Sequence, residues 1–376
     1  MRRLIGFLIT VVLCVVICVA PARAGEWYPT IEWKLGSLGK LSSDLQIGPN
    51  GLFYAPSGSK LTVFDDQGRK LWDVSNKSGG NNTCPPVFNY LGSVYQPGNN
   101  MFREVKLNGS TGWNFNVYSG SGKSQSWLTA GPGEQLYLHA PTGLYAVDTV
   151  GHYQWMLFQW NMARNISTKT ENFNVIAAAG DSRVVLSVVA RDKGAAQLLA
   201  FNQDGEVQWR FSMGVVKNVN MVFGPDGLLY ISANPASVSA TVNGAVYAFD
   251  VYGNGKPLWT YKFQSDKLTA PTPTDHNILY FMEGDMLFAL NQSTGKEIWS
   301  NVFPKANAQP AADDNSKRVY VGGDKNRFLA LRPDGRLDWW LDLGAKVTRK
   351  PLIAPDGYIY VTTDKGDVFK IKDQPR

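Results

Sequence analysis

One pattern recurs along this 376-residue chain and leaves little freedom in how it folds. A small or apolar residue, often within Ala-x-Asp or Ala-x-Asn, is followed by a glycine turn and then a tryptophan. It reads Ala146-Val147-Asp148, Gly151, Trp155, and again from Ala200 through Gly205 to Trp209. Further copies run from Ala248 through Gly255 to Trp259, Ala289 through Gly295 to Trp299, and Ala330 through Gly335 to Trp339. Weaker copies end at Trp72, after Asp65 and Gly68, and at Trp113, after Asn108 and Gly112. Trp33 has the tryptophan and the following Leu35-Gly36 but no preceding half. The tryptophans are 39, 41, 42, 54, 50, 40 and 40 residues apart. A period near 40 with about four short strands per unit is the signature of propeller blades.

Each unit also carries an upstream hairpin of alternating apolar residues around a Pro/Asp/Gly turn, as in Gly224-Pro225-Asp226-Gly227 and Ala354-Pro355-Asp356-Gly357. No stretch has a helical period. Eight tryptophans predict an all-β, eight-bladed propeller of four-stranded antiparallel blades. After Trp339 the chain has sequence for three strands, Lys350–Leu352, Tyr358–Thr362 and Asp367–Ile371, and no fourth. The orphan Ile31–Leu35 is expected to supply it, so that the N-terminal strand closes the ring without an open edge. The two longest intervals, Trp155 to Trp209 and Trp209 to Trp259, are expected to hold insertions.

Residues 1–24 read as a signal peptide, and 25–376 as one propeller domain. Arg2 and Arg3 precede an uncharged apolar run, Leu4 to Val19, and Ala22-Arg23-Ala24 has the small-x-small pattern of a cleavage site. That run is shorter than the ~18–20 residues that span a bilayer. Losing Arg2, Arg3 and Arg23 lowers the formal charge from +6 to +3. With 44% hydrophobic and 12% aromatic residues the chain is neither disordered nor collagen-like. Cys14 and Cys18 lie in the leader, so Cys84 has no intrachain partner for a disulfide in the mature protein.

The Ala-x-Asp/Asn-x-x-x-Gly-x-x-x-Trp pattern resembles that of the PQQ-like β-propeller repeat family, over essentially the whole mature chain. WD40 and Kelch repeats fit worse: no Trp-Asp ends the blades and no Gly-Gly pair recurs in register. The resemblance implies that the motif lies at the turn between third and fourth strands. It also implies that Trp33, Trp72, Trp113, Trp155, Trp209, Trp259, Trp299 and Trp339 are structural, packed between neighbouring blades. Enzymes of this superfamily hold their quinone between a tryptophan and a disulfide of adjacent cysteines, above a Ca²⁺. A single mature cysteine cannot make that disulfide, so no cofactor and no catalytic residue is expected.

Other chemistry is sparse. His139, His152 and His276 are far apart in sequence, and hydrolase, zinc-protease and P-loop signatures are missing. Asp65, Asp66, Asp226, Asp313, Asp314 and Asp356 read as turn residues, without the spaced ladder of a calcium loop. Cys84, before Pro85, reads as a small buried residue at the start of an inner strand. The blade-to-blade links carry fourteen basic and four acidic residues, whereas the turns on the opposite face carry nine basic and fifteen acidic. Trp160, Arg164 and Lys169, in the long link 156–173, together with Arg349 and Lys350 are therefore the expected partner-binding residues. The sequence reads as an exported, non-catalytic binding or scaffolding propeller at a bacterial cell envelope, monomeric. Its partner would be an envelope protein or an acidic or carbohydrate polymer rather than nucleic acid. The alternatives are a periplasmic scaffold of the outer-membrane-assembly type and a quinone-dependent oxidoreductase.

Overall fold

A computed structural model describes residues 27–75, 84–89, 92–98, 101–116, 127–131, 135–140, 143–158, 170–177, 184–190, 196–202, 204–235, 244–263, 265, 267–306 and 308–374. The expected signal peptide, the residues Trp160, Arg164 and Lys169, and most of the second insertion (236–243) lie outside them. Among the described residues the fold is all-β. Every sheet has four antiparallel strands, and in all but one of them the strands follow one another in sequence order outward from the axis.

The expectation of an eight-bladed propeller is corrected. The chain supplies seven blades that are each continuous in sequence, over 46–75, 87–116, 127–158, 170–214, 216–263, 272–302 and 311–342, here numbered 1 to 7. The remaining four-stranded sheet is a composite of the two ends of the chain, Tyr28–Leu35 beside Val368–Gln374, Ile359–Thr362 and Leu352–Ile353. Side chains of the two inner strands of blade 4, Thr170–Ala177 and Val184–Ala190, are outside the description.

The repeat motif has a direct packing reason. In blade 6 Tyr280 on the second strand pairs with Ala289 on the third, and Ala289 pairs with Trp299 on the fourth. Blade 7 repeats the row as Tyr320, Ala330, Trp339, blade 5 as Tyr230, Ala248, Trp259, and blade 3 as Tyr137, Ala146, Trp155. Directly opposed residues on one face of a sheet nearly touch, and a methyl group in the middle lets two large rings close over it. The tyrosine and tryptophan centroids accordingly lie 5.9–6.0 Å apart in all four blades.

The same tryptophan joins its blade to the next one. Trp259 Nε1 donates to the Gln292 carbonyl at 2.9 Å and Trp299 Nε1 to the Pro333 carbonyl at 2.7 Å, both in the third–fourth turn of the following blade. Trp33, Trp72 and Trp209 do likewise to Asp66, Leu107 and Val251. The glycine of that turn lies on the ring. Gly295 and Gly335 take φ of 68° and 80°, and a Cβ on either would sit 2.5 Å from Trp259 or 2.8 Å from Trp299. Only glycine meets both demands without strain. Trp209 and Trp339 are buried, at 7% and 5% exposure, and the other six are half-buried at the rim of each seam.

At the composite blade the third–fourth turn does not exist, because that is where the two ends of the sheet meet. Trp339 finds another acceptor there, with its Nε1 donating to Asp373 Oδ1 at 2.9 Å. Asp373 Oδ2 accepts from Tyr320 Oη at 2.8 Å and lies 3.7 Å from Arg318 Nε. Arg318 is held by Asp338 Oδ2 at 2.7 and 2.9 Å, and Trp27 stacks on its guanidinium at 4.0 Å. Both ends of the sheet therefore meet on one buried arginine. Tyr28–Leu35 pairs with Val368–Gln374 from Tyr28–Gln374 to Leu35–Val368, with a bulge between Ile31 and Trp33.

Burial raises the Asp373 carboxyl above its usual range, against the pull of Tyr320, Arg318 and Trp339. Asp373→Ala should cost about 1–3 kcal/mol, because two buried donors lose their acceptor. Asp373→Asn keeps an acceptor, loses the buried charge and should cost less. Raised in the folded state, this group favours the protonated form on folding. Its ionisation penalty is fully present above the folded pKa and is relieved as pH falls towards about 4, the unfolded value. The Asn variant lacks that penalty, so its stability relative to wild type should be greatest at neutral pH and should decline as the solution is acidified. Urea melts of wild type and both variants between neutral and acid pH check this.

Candidate functional site

The first strand of each blade lines the central axis. The mouth of the axial channel between the composite blade and blade 1 holds a small charged cluster. Asp44, just before the inner strand Gln46–Ile47, faces Lys350, just before the inner strand Leu352–Ile353. They border a cavity of about 270 Å³ that also touches Gln46, Pro351, Ala311 and Ala312. Burial pushes the Asp44 carboxyl upward, while Arg349, Lys350 and the Lys350 backbone N–H pull it down. Burial likewise draws the Lys350 ammonium below its ordinary value, and Asp44 opposes that. Arg349 Nη2 donates to the Leu41 carbonyl at 2.9 Å, and its Nε is buried with no acceptor.

Two of the five expected partner-binding residues, Arg349 and Lys350, belong to this cluster. They are half-buried rather than splayed into solvent. Their counter-ion, Asp44, escaped the sequence reading because it lies about three hundred residues away and was counted with neither face. The cluster carries one net positive charge and one unsatisfied guanidinium N–H, which suits an acidic group reaching into the mouth. Trp160, Arg164 and Lys169 cannot be placed relative to it.

The remaining candidates have structural roles. Cys84 is buried, at 3% exposure, and desolvation raises its thiol to about 12. His276 Nδ1 lies 2.8 Å from Asp314 Oδ1 and joins blade 6 to blade 7, and exposed His152 lies 3.3 Å from Asp148. The side chain of His139 is outside the described residues. Asp65, Asp226, Asp313 and Asp356 accept backbone N–H groups within their own turns, at 2.9–3.2 Å. Among the described residues no three His, Cys, Asp or Glu side chains gather as a metal site, and no helix is long and apolar enough to cross a membrane.

Strand alternation places the blade-to-blade links on one face with the second–third turns, and the glycine turns on the other. Among the described residues, the link cations Lys40, Lys267, Lys305 and Lys346 therefore share a face. Part of the basic charge is spent internally: Lys34 pairs with Asp367 at 2.9 Å, and Lys350 feels the charge of Asp44.

A family described as outer membrane protein assembly factor BamB matches residues 194–309 and 284–374. No curated protein matches the chain. Several solved structures share the fold. BamB from Moraxella catarrhalis superposes with a TM-score of 0.65 at 14% identity, over 92% of this chain and 98% of that one. The Dos1 propeller gives 0.68 at 13%, over 93% and 95%. Quinohemoprotein alcohol dehydrogenase from Comamonas testosteroni gives 0.66 at 11%, over 91% of this chain and 76% of that one.

Asp44→Ala should leave Arg349 and Lys350 facing each other without a counter-ion. The expected loss is up to about 3 kcal/mol, the low end for a broken buried pair because the mouth admits water. Asp44→Ala with Lys350→Met should recover most of it, as read by urea denaturation. The Cys84 thiol should resist a thiol-reactive dye at mildly alkaline pH in the native protein and react promptly once the protein is unfolded in urea.

Proposed function

Because this chain belongs to the PQQ-like β-propeller repeat family, we propose that it is a non-catalytic scaffold of the bacterial cell envelope, of the outer-membrane-assembly type. The observation that carries the reading is the match of residues 194–374, from the outer half of blade 4 through the C-terminal strands, to the family described as BamB. The leader-like segment 1–24 agrees with it, since an envelope scaffold must be exported. The partner-binding surface is the face of the blade-to-blade links. Trp160, Arg164 and Lys169 come from its longest link, and Asp44, Arg349 and Lys350 stand at the channel mouth. The partner is an envelope protein presenting acidic side chains, met by a monomeric propeller.

The oxidoreductase reading has the shared fold of a quinohemoprotein in its favour. Against it, Cys84 is the single cysteine beyond the leader and its thiol is buried and protonated. The contacts of an exposed basic face are individually worth about 0–1 kcal/mol, so binding rests on several at once and weakens as salt rises. Arg164→Glu with Lys169→Glu tests the surface. Lys350→Glu is unsuitable, because it would set a second carboxylate against Asp44. In an envelope pull-down the reversed protein should lose wild-type partners at low salt, and wild type should lose them as salt increases. Recovery of the same partners by both proteins at both salts counts against the surface. A quinone absorbance in natively purified protein counts against the non-catalytic role.

A further inference from the structure

We propose that the seam between blades 6 and 7 is a docking groove for an extended peptide with an apolar middle and an acidic residue at each end. The groove has a volume of about 760 Å³, within the range of ligand sites. One wall is Val302, Phe303 and Pro304, where the outer strand of blade 6 ends, and the other is Leu329 and Leu337 of blade 7. Val302 is 54% exposed and Leu337 37%, so apolar surface lies open where side chains of an incoming segment would cover it.

Shape and charge specify the occupant. Leu337–Asp342 runs along the groove, and it is the last strand of its sheet, as Glu297–Val302 is of the neighbouring one. A trough parallel to two edge strands accepts an extended chain better than a helix. Arg336 stands at one end, in the glycine turn that precedes Leu337. Arg327 stands at the other, opposite Asp342 in the strand register. Six residues of strand separate these positions, roughly 20 Å at the rise of an extended chain. Acidic side chains six positions apart, with apolar residues between them on the same side, would meet both arginines.

The Arg327 guanidinium is fixed over the Trp340 ring at 4.5 Å, which holds it in place for a carboxylate. Arg336 has Asp334 at 3.6 Å, but its side chain is 82% exposed and such a pair is weak enough to exchange. Asp324 lines the Arg327 end as well, so discrimination should be stronger at Arg336. This inference uses the rim of the ring, not the channel mouth, and stands or falls independently of the envelope reading.

Fluorescence anisotropy with a labelled heptapeptide, DSVSFSD in one-letter code, tests it against the control KSVSFSK. Wild type should bind the acidic peptide at least about ten-fold more tightly than the basic one, a difference of about 1.4 kcal/mol. Val302→Asp should weaken the acidic peptide by a similar factor, and Arg327→Glu with Arg336→Glu should reverse the preference. Each variant must retain the wild-type circular dichroism spectrum and melting temperature. Substitution at exposed Val302 and Arg336 keeps that condition within reach. Equal binding of the two peptides, no binding of either, or binding unchanged in Val302→Asp overturns the proposal. So does a concentration-dependent dimer abolished by Val302→Asp, which would assign the groove to a second copy of the chain.

Discussion

The indole N–H of a blade tryptophan needs an acceptor, and the next blade's turn supplies it. Everything circular about this protein depends on that bond and on the glycine beneath the ring. The bond places each outer strand against the following turn at a fixed height and angle. The glycine, with a left-handed backbone and no Cβ, brings that turn flat onto the indole face. Because each unit contributes one tryptophan and accepts one, the arrangement adds up only when the last unit reaches back to the first. The Tyr–Ala–Trp row gives each blade its own stiffness, so that the seam joins sheets whose faces are already set.

Where the ends meet, the rule is kept by different atoms. A carboxylate on the C-terminal strand replaces the absent turn carbonyl, and burying it demands donors on several sides. Tyr320, Trp339 and Arg318 provide them, and Arg318 needs Asp338 in turn. At the composite blade a chain of charges therefore stands in for a peptide group.

Much of this was legible in the residues. The tryptophan period marked the blades, the glycines marked the turns, and the unmatched Trp33 marked the closing strand. The tyrosine of the second strand was equally regular, in Tyr54, Tyr95, Tyr137, Tyr230, Tyr280, Tyr320 and Tyr360, and went unread. Its significance lies in cross-strand register, which a linear motif does not display, and Val185 interrupts the series in blade 4. How deeply each tryptophan sits was not legible in the motif. Here one face packs and the other remains at the rim. At the channel mouth Arg349 and Lys350 were visible as basic residues before a proline. Their pairing with Asp44 joins positions about three hundred residues apart, and nothing in either segment announces the other.

The register of the closing strands also decides how the ring would answer a pull on its ends. Tyr28 lies opposite Gln374, so the two ends of the pair emerge at the same edge of the sheet. Tension applied there would not shear all the hydrogen bonds together, as it would if the ends left from opposite edges. It would load them one after another, starting at Tyr28 and reaching the bulge at Ile31 and Trp33 early. A ring held shut in this way meets heat with the whole sheet at once and meets traction one bond at a time.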